Sequence, residues 1–354
     1  VYGCSISNVN IPISWVGNLG GAGGFMDSGN EIGGNTVPTG NSFTSWGSNT
    51  TPSAATFIGV STTMYGVYMA GQAGLTIRNN TITSNTAVNA ASTFRGIWVD
   101  YPATSTNPAA GFTNTIANNT VTISGGNSAT SFDPILHANS AGLTALAGSS
   151  VVITGNNVIN CSVNATAAAG QTFQGIVNNL PSATINISTN IIRSNTSRAT
   201  TGGFLGILNS AAALTSITIS DNQVGNASGG AISYINPANG TSGTITGISN
   251  TGTAAGTITL NNNTVQGIQS LSSASPSTGA YIGINNTGGG ATTTAISITN
   301  NKVGSSTGPA VSYGAAIVTA MIGINNAGAA TAAGGVISIS NNSMQAFNFV
   351  SNTA

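Results

Sequence analysis

Ile296-Ser297-Ile298-Thr299-Asn300-Asn301-Lys302-Val303 alternates apolar and small polar residues, bends at an Asn pair and resumes with an apolar residue. Alternation with a period of two marks a strand with one buried face, and Asn is a residue of corners. The phrase therefore reads as a strand, a corner and the start of a second strand. It recurs along the chain, as Leu75 to Ile82, Ile116 to Val121, Ile153 to Val158, Ile185 to Ile192, Ile217 to Val224, Ile258 to Val265 and Ile337 to Met344. Degenerate copies stand at Cys4 to Ile11 and Ile32 to Val37, making ten in all. The aligned Asn residues are Asn80, Asn119, Asn156, Asn190, Asn222, Asn263, Asn301 and Asn342, with a mean period of about 37 residues.

A second phrase is interleaved with the first: Phe94-Arg95-Gly96-Ile97, Phe173-Gln174-Gly175-Ile176, Phe204-Leu205-Gly206-Ile207, Tyr281-Ile282-Gly283-Ile284 and Met321-Ile322-Gly323-Ile324. Phe132-Asp133-Pro134-Ile135 is a variant with Pro in the Gly place. Units of this kind cannot bury an apolar face alone, but stacked in parallel they build one continuous core. The expected fold is all-β, a right-handed parallel β-helix of about ten Asn-cornered repeats, the hand following from the crossover rule. Residues 1–354 form one domain, with degenerate rungs over 1–56 and regular repeats over 57–354. Asn suits the corner because it tolerates left-handed backbone and can bond to the next Asn up the stack. One coil per repeat is expected, since Ile176 and Ile187 are too close in sequence to circle a core. The echo of Ile296-Ser297-Ile298-Thr299-Asn300 in Ile282-Gly283-Ile284-Asn285-Asn286 is the argument for two.

Composition agrees with strands and narrows function. Charged residues make up 3% of the chain and hydrophobic residues 40%, with mean hydropathy +0.22 and zero net charge. Five scattered basic residues make no phosphate-neutralising patch, so nucleic acid is a poor partner. No apolar run approaches the ~18 residues of a membrane span. A surface so poor in charge lacks the repulsion that keeps monomers apart, which suits packing against copies of itself.

The phrases Gly283-Ile284-Asn285-Asn286-Thr287-Gly288 and Ile296-Ser297-Ile298-Thr299-Asn300-Asn301 resemble the right-handed parallel β-helix repeats of secreted Bacteroidota surface proteins. The resemblance covers nearly the whole chain and implies architecture more than activity, since that group includes adhesins and filament subunits. The C-terminal sorting domain that such proteins often carry is not expected within residues 1–354.

Enzymes with this kind of fold attack polysaccharides, using clustered carboxylates for Ca²⁺ with a basic residue, or two carboxylates on one face. The acids here are Asp27, Glu31, Asp100, Asp133 and Asp221. Asp27 and Glu31 lie close together but read as a solvated loop with no basic partner nearby. Arg95 and Asp133 share a repeat position and are expected to form an ion pair between neighbouring rungs. The functional alternative joins them to His137, the single histidine, as a small polar site. No cofactor, metal-ligand spacing or nucleophile triad is indicated.

Cys4 aligns with buried Ile296 and reads as a buried free thiol, about four rungs from Cys161 and beyond disulfide reach. If the Ile97 to Ile324 column faces the core, alternation turns the Phe94, Phe132, Phe173, Phe204, Tyr281 and Met321 column outward or under loops. Thr-x-Thr pairs such as Thr257-Ile258-Thr259 raise an ice-binding reading without forming a sustained ladder. Neither end carries an amphipathic cap, so the expectation is a piece of a longer chain or an open end that stacks on neighbours. The function expected is that of a non-enzymatic structural protein, extracellular or at the cell surface, a self-associating subunit of a filament, sheath or adhesin stalk. Its partners would be copies of itself and, secondarily, surface glycans. The alternative is a carbohydrate-binding or pectate-lyase-like carbohydrate-cleaving β-helix.

Overall fold

A computed structural model describes residues 1–9, 11–17, 26–36, 39–47, 64–84, 94–101, 111–125, 132–163, 172–199, 201–228, 232–236, 243–272, 279–314 and 319–348. Among them there is no α-helix. Strands of successive repeats stack in parallel on their counterparts, forming a β-solenoid. Each repeat is one coil. Phe173–Asn178, Ser182–Ser188, Ile191–Arg193 and Asn195–Arg198 each lie on a different sheet, and the next strand, Phe204–Asn209, stacks on the first. The echo at Asn285-Asn286 thus marks a second corner of the same coil. The sheets have ten, nine, nine and seven strands, giving about seven turns closed on all four sides, against ten repeats in the sequence.

The four sides differ in what they bury. An isoleucine face (nine strands, Glu31–Ile32 through Val336–Ser340) alternates around its inward pairs, with Ile217 and Ile219, or Ile296 and Ile298, pointing inward and at most 1% exposed. A corner face (ten strands, Ser5–Ser7 through Ser343–Met344) contributes Val121, Val158 and Val224. A closing face (seven strands, Ser124–Gly125 through Phe347–Asn348) adds Ile232 and Tyr234. Its strands are the part of the coil that the two phrases do not announce. One continuous core results. Each such side chain is worth about 1.5–3 kcal/mol when fully buried.

The aromatic face (nine strands, Ile13–Val16 through Met321–Asn326) corrects the expected orientation. Phe94, Phe132, Phe173, Phe204 and Tyr281 point into the core, 0–3% exposed. Trp46 stacks on Phe94 with centroids 5.0 Å apart, and Phe173 on Phe204 at 5.2 Å. Strict alternation fails because the strand bends at the glycine that follows, where the pairing register skips a residue. Both Phe204 and Ile207 therefore face inward. A Cβ on Gly206 would lie 2.4 Å from the Gly247 carbonyl oxygen and 2.9 Å from Val224, so this rung has no room for a side chain at the bend, although Pro134 takes the same place in the rung of Phe132.

The first repeat is also corrected. Ser5-Ile6-Ser7 pairs with Ser42-Phe43-Thr44 on the corner face, so Cys4 to Ile11 is not a copy of Ile296 to Val303. Both faces read polar-apolar-polar, and without the ladder Asn nothing in the sequence sets the phase. Ile32 does align with Ile77. Val37 and the boundary at residues 56 and 57 lie outside the described residues.

Candidate functional site

The eight predicted corner asparagines form one ladder, with Asn41 as a ninth member that the sequence did not reveal. Asn222 shows the unit. Its Oδ1 accepts both the backbone N–H and the Nδ2 of Asn190 at 3.0 Å, while its Nδ2 donates to Ile187 O at 2.9 Å and to Asn263 Oδ1 at 3.0 Å. The same pattern links Asn80 through Asn342. Asn41 joins by donating from Nδ2 to Asn80 Oδ1 at 2.9 Å. Left-handed backbone belongs to the residue before: Asn79, Asn118, Asn262, Asn300 and Asn341 have φ of 55–58°. Gly155, Thr189 and Asp221 fill that place elsewhere, with φ of 64°, 55° and 58°. The Asn-Asn pair thus divides two tasks, the first residue turning the chain and the second bonding between rungs.

A second ladder, missed in the sequence, runs along the corner after the aromatic face. Asn178 donates to Asn209, Asn209 to Asn250, Asn250 to Asn286 and Asn286 to Asn326, each from Nδ2 to Oδ1 at 2.7–2.9 Å. His137 stands at its head, fully buried, with Nδ1 3.0 Å from Asn178 Oδ1 and Nε2 3.2 Å from Asn114 Nδ2. Since Asn178 Oδ1 only accepts, Nδ1 carries the proton and Nε2 accepts. Burial pushes the His137 pKa down to about 4, partly opposed by the bond to Asn178. Asn114 continues the line to the Tyr101 hydroxyl at 2.8 Å, and Tyr101 donates to Gln72 O.

Arg95 and Asp133 meet as expected, Nε to Oδ2 at 3.2 Å, on paired positions of neighbouring strands. Asp133 is 1% exposed, and the Arg95 guanidinium lies 4.0 Å above the Trp98 ring. His137 does not join them. It faces the core, whereas Arg95 and Trp98 lie on the outer side, where Trp98, Leu136, Val177 and Leu208 form a separate cluster. The reading of three residues as one polar site is therefore not supported.

Three of the four remaining acids also have side-chain partners within the stack. Arg78 binds Glu31 at 2.7 Å, contrary to the expectation that Glu31 has no basic neighbour. The two come together because Glu31 stacks on Thr76 in the next rung. Asp100, 4% exposed, accepts from the Ser140 hydroxyl at 2.8 Å, and exposed Asp221 from Asn262 at 3.1 Å. Asp27 aligns with Gln72 on a short two-stranded sheet.

Cys4 is exposed, not buried, because it occupies the ladder place one rung before Asn41, at the edge of the stack. Its backbone N–H donates to Asn41 Oδ1 at 3.0 Å. Cys161 is buried in the core with its pKa raised to about 12 by burial. Its Sγ accepts the Ile123 N–H at 3.4 Å, so in this fold a thiol can stand where an amide oxygen otherwise accepts.

The last rung is open. Ile337, Ile339 and Met344 are 46–54% exposed, whereas Ile296, Ile298 and Val303, their counterparts one rung earlier, are at most 1% exposed. Asn342 donates from Nδ2 to Ile298 O at 2.7 Å, but among the described residues nothing accepts its backbone N–H. Comparison with known proteins finds no matching family model, no matching curated protein and no matching solved structure.

Proposed function

We propose that the chain is a non-enzymatic structural solenoid of the cell surface or extracellular space, in the manner of the Bacteroidota surface repeats it resembles, and that it lengthens rung on rung into a filament, sheath or stalk. The uninterrupted stack of parallel rungs with almost no charge on its faces carries this reading, and the exposed rung at Val336–Ser340 shows what a further rung would cover. Three apolar side chains about half exposed would each gain about 1 kcal/mol on being covered. The N–H of Asn342 and one hydrogen of its Nδ2 lie where every earlier ladder Asn meets an Oδ1. A second copy would bring the Ser5–Ser7 strand with Cys4 in the ladder place, where its sulfur accepts as Cys161 does. The near absence of charge removes the usual barrier to such stacking. The carbohydrate reading keeps one observation, the outer group of Tyr65, Tyr68 and Trp98, but these rings are packed on each other at 4.3–5.9 Å and under Arg95.

Electron microscopy of the purified chain tests the proposal. Rods growing in length with concentration are expected, and growth should cease when Ile339→Lys places a charge in the open rung. Rods of one subunit length at every concentration, or a glycan-cleaving activity lost on Arg95 substitution, would overturn it.

A further inference from the structure

The outer side of the isoleucine face is a flat field of small side chains. Over the three outward positions that pair from strand to strand in the seven strands from Thr113–Ala117 to Val336–Ser340, fifteen of twenty-one are Ser or Thr and the rest are Ala, Val and Asn, with exposed Leu214 standing just before them at one edge. None is charged and none is longer than Asn. Exposed sheet surfaces ordinarily carry long charged residues that discourage association. We propose that this face is a lateral interface between two copies of the chain, packed sheet against sheet about a two-fold axis. The inference rests on the reading of the chain as a self-associating structural solenoid, though not on end-on growth.

Three features favour a second copy as the occupant. Five of the fifteen hydroxyls are bonded along the stack (Thr184 to Ser150 at 3.1 Å, Thr154 with Ser188 at 3.2 Å, and Thr299 to Asn261 at 3.1 Å), and the other ten can rotate to donate to or accept from hydroxyls of a facing copy. Covering them with protein therefore leaves few donors unpaired. The second feature is lattice matching. Rungs repeat at ~4.8 Å in both copies, so ridges and grooves stay in step along the whole face, and side chains this small let two sheets approach to ~10 Å. The third is area. Seven rungs of five residues span ~33 Å by ~17 Å, roughly 550 Å² in projection, which side-chain relief brings toward the ~800 Å² per partner of a standard interface. A self-complementary patch closes as a dimer instead of growing without limit.

Sedimentation velocity on the full chain carrying Ile339→Lys, which blocks end-on growth, tests the pairing. A dimer is expected at micromolar concentration. Adding Thr218→Lys and Thr259→Lys in mid-face should weaken it at least tenfold with circular dichroism and melting unchanged. Gln223→Lys and Thr264→Lys, on the neighbouring corner face, should leave it intact. A monomer throughout in the Ile339→Lys background, or a dimer indifferent to the mid-face lysines, would overturn the inference. Failure of the end-on proposal looks different: wild-type particles paired side by side that never lengthen.

Discussion

Asn222→Ala tests whether the corner ladder holds the solenoid together. Asn222 is 1% exposed, and truncation removes four side-chain hydrogen bonds at once. Asn190 loses the acceptor of its backbone N–H and of one Nδ2 hydrogen, and Ile187 O loses a donor. Asn263 Oδ1 keeps only the Asn222 backbone N–H, at 3.1 Å. A buried group left without its partner costs about 1–3 kcal/mol, carbonyls at the low end. The expected loss is about 4 kcal/mol, and no less than ~2 kcal/mol if a water takes the vacated amide site. Asn342→Ala removes the same chemistry where solvent can replace it, and should cost about 1 kcal/mol. Because a long repeat array can unfold in parts, urea titration should be paired with amide hydrogen exchange resolved by rung. Protection should fall in the rungs around Ile187 and Asn263 and persist far from them. Equal losses at the two positions, or less than 1 kcal/mol at Asn222, would refute the reasoning.

Other consequences follow from particular contacts. His137 is held neutral with a pKa near 4 against an ordinary 6.5, so the unfolded chain binds a proton that the folded chain refuses between those values. Stability should therefore be fully present above pH ~6.5 and fall as pH drops toward 4, by up to about 3 kcal/mol, and His137→Gln should flatten this part of a urea-versus-pH profile. Gly206→Ala should destabilise by several kcal/mol, since its Cβ has no room, whereas Gly290→Ala, where a Cβ would meet nothing within 4 Å, should be near neutral in thermal melts. Arg95→Leu should cost about 1–3 kcal/mol in urea titration by breaking the Asp133 pair and uncovering Trp98, without preventing assembly. Cys4→Asn would restore an amide acceptor for Asn342 of the next copy, and should lower the concentration needed for rod growth by tenfold or more, measured by light scattering.

The solenoid was legible because its two devices are written in adjacent residues: Ile or Val at alternate positions for the core, and Asn at the bend. The Arg95–Asp133 contact was legible for the same reason, since repeat alignment predicts stacking register. What escaped was geometry that breaks alternation. Gly206 and its equivalents reset which side faces inward, whereas simple alternation places the aromatic column outward or under loops. Asn178 to Asn326 looked like strand ends because their partners are each other, some 31–41 residues apart. Residues 5–7 lack a ladder Asn, and their pattern fits either of two faces. The His137 environment was hidden because Asn114 and Tyr101 come from outside both phrases.

Fibre diffraction with electron microscopy on concentrated wild-type protein tests the central claim most directly. Rung-on-rung growth through the open end predicts a sharp meridional spacing near ~4.8 Å that stays coherent over lengths beyond one subunit, with rods one or two solenoids wide. Isolated particles of single-subunit length, with Ile337, Ile339 and Met344 still open to solvent at the highest concentration, would contradict it.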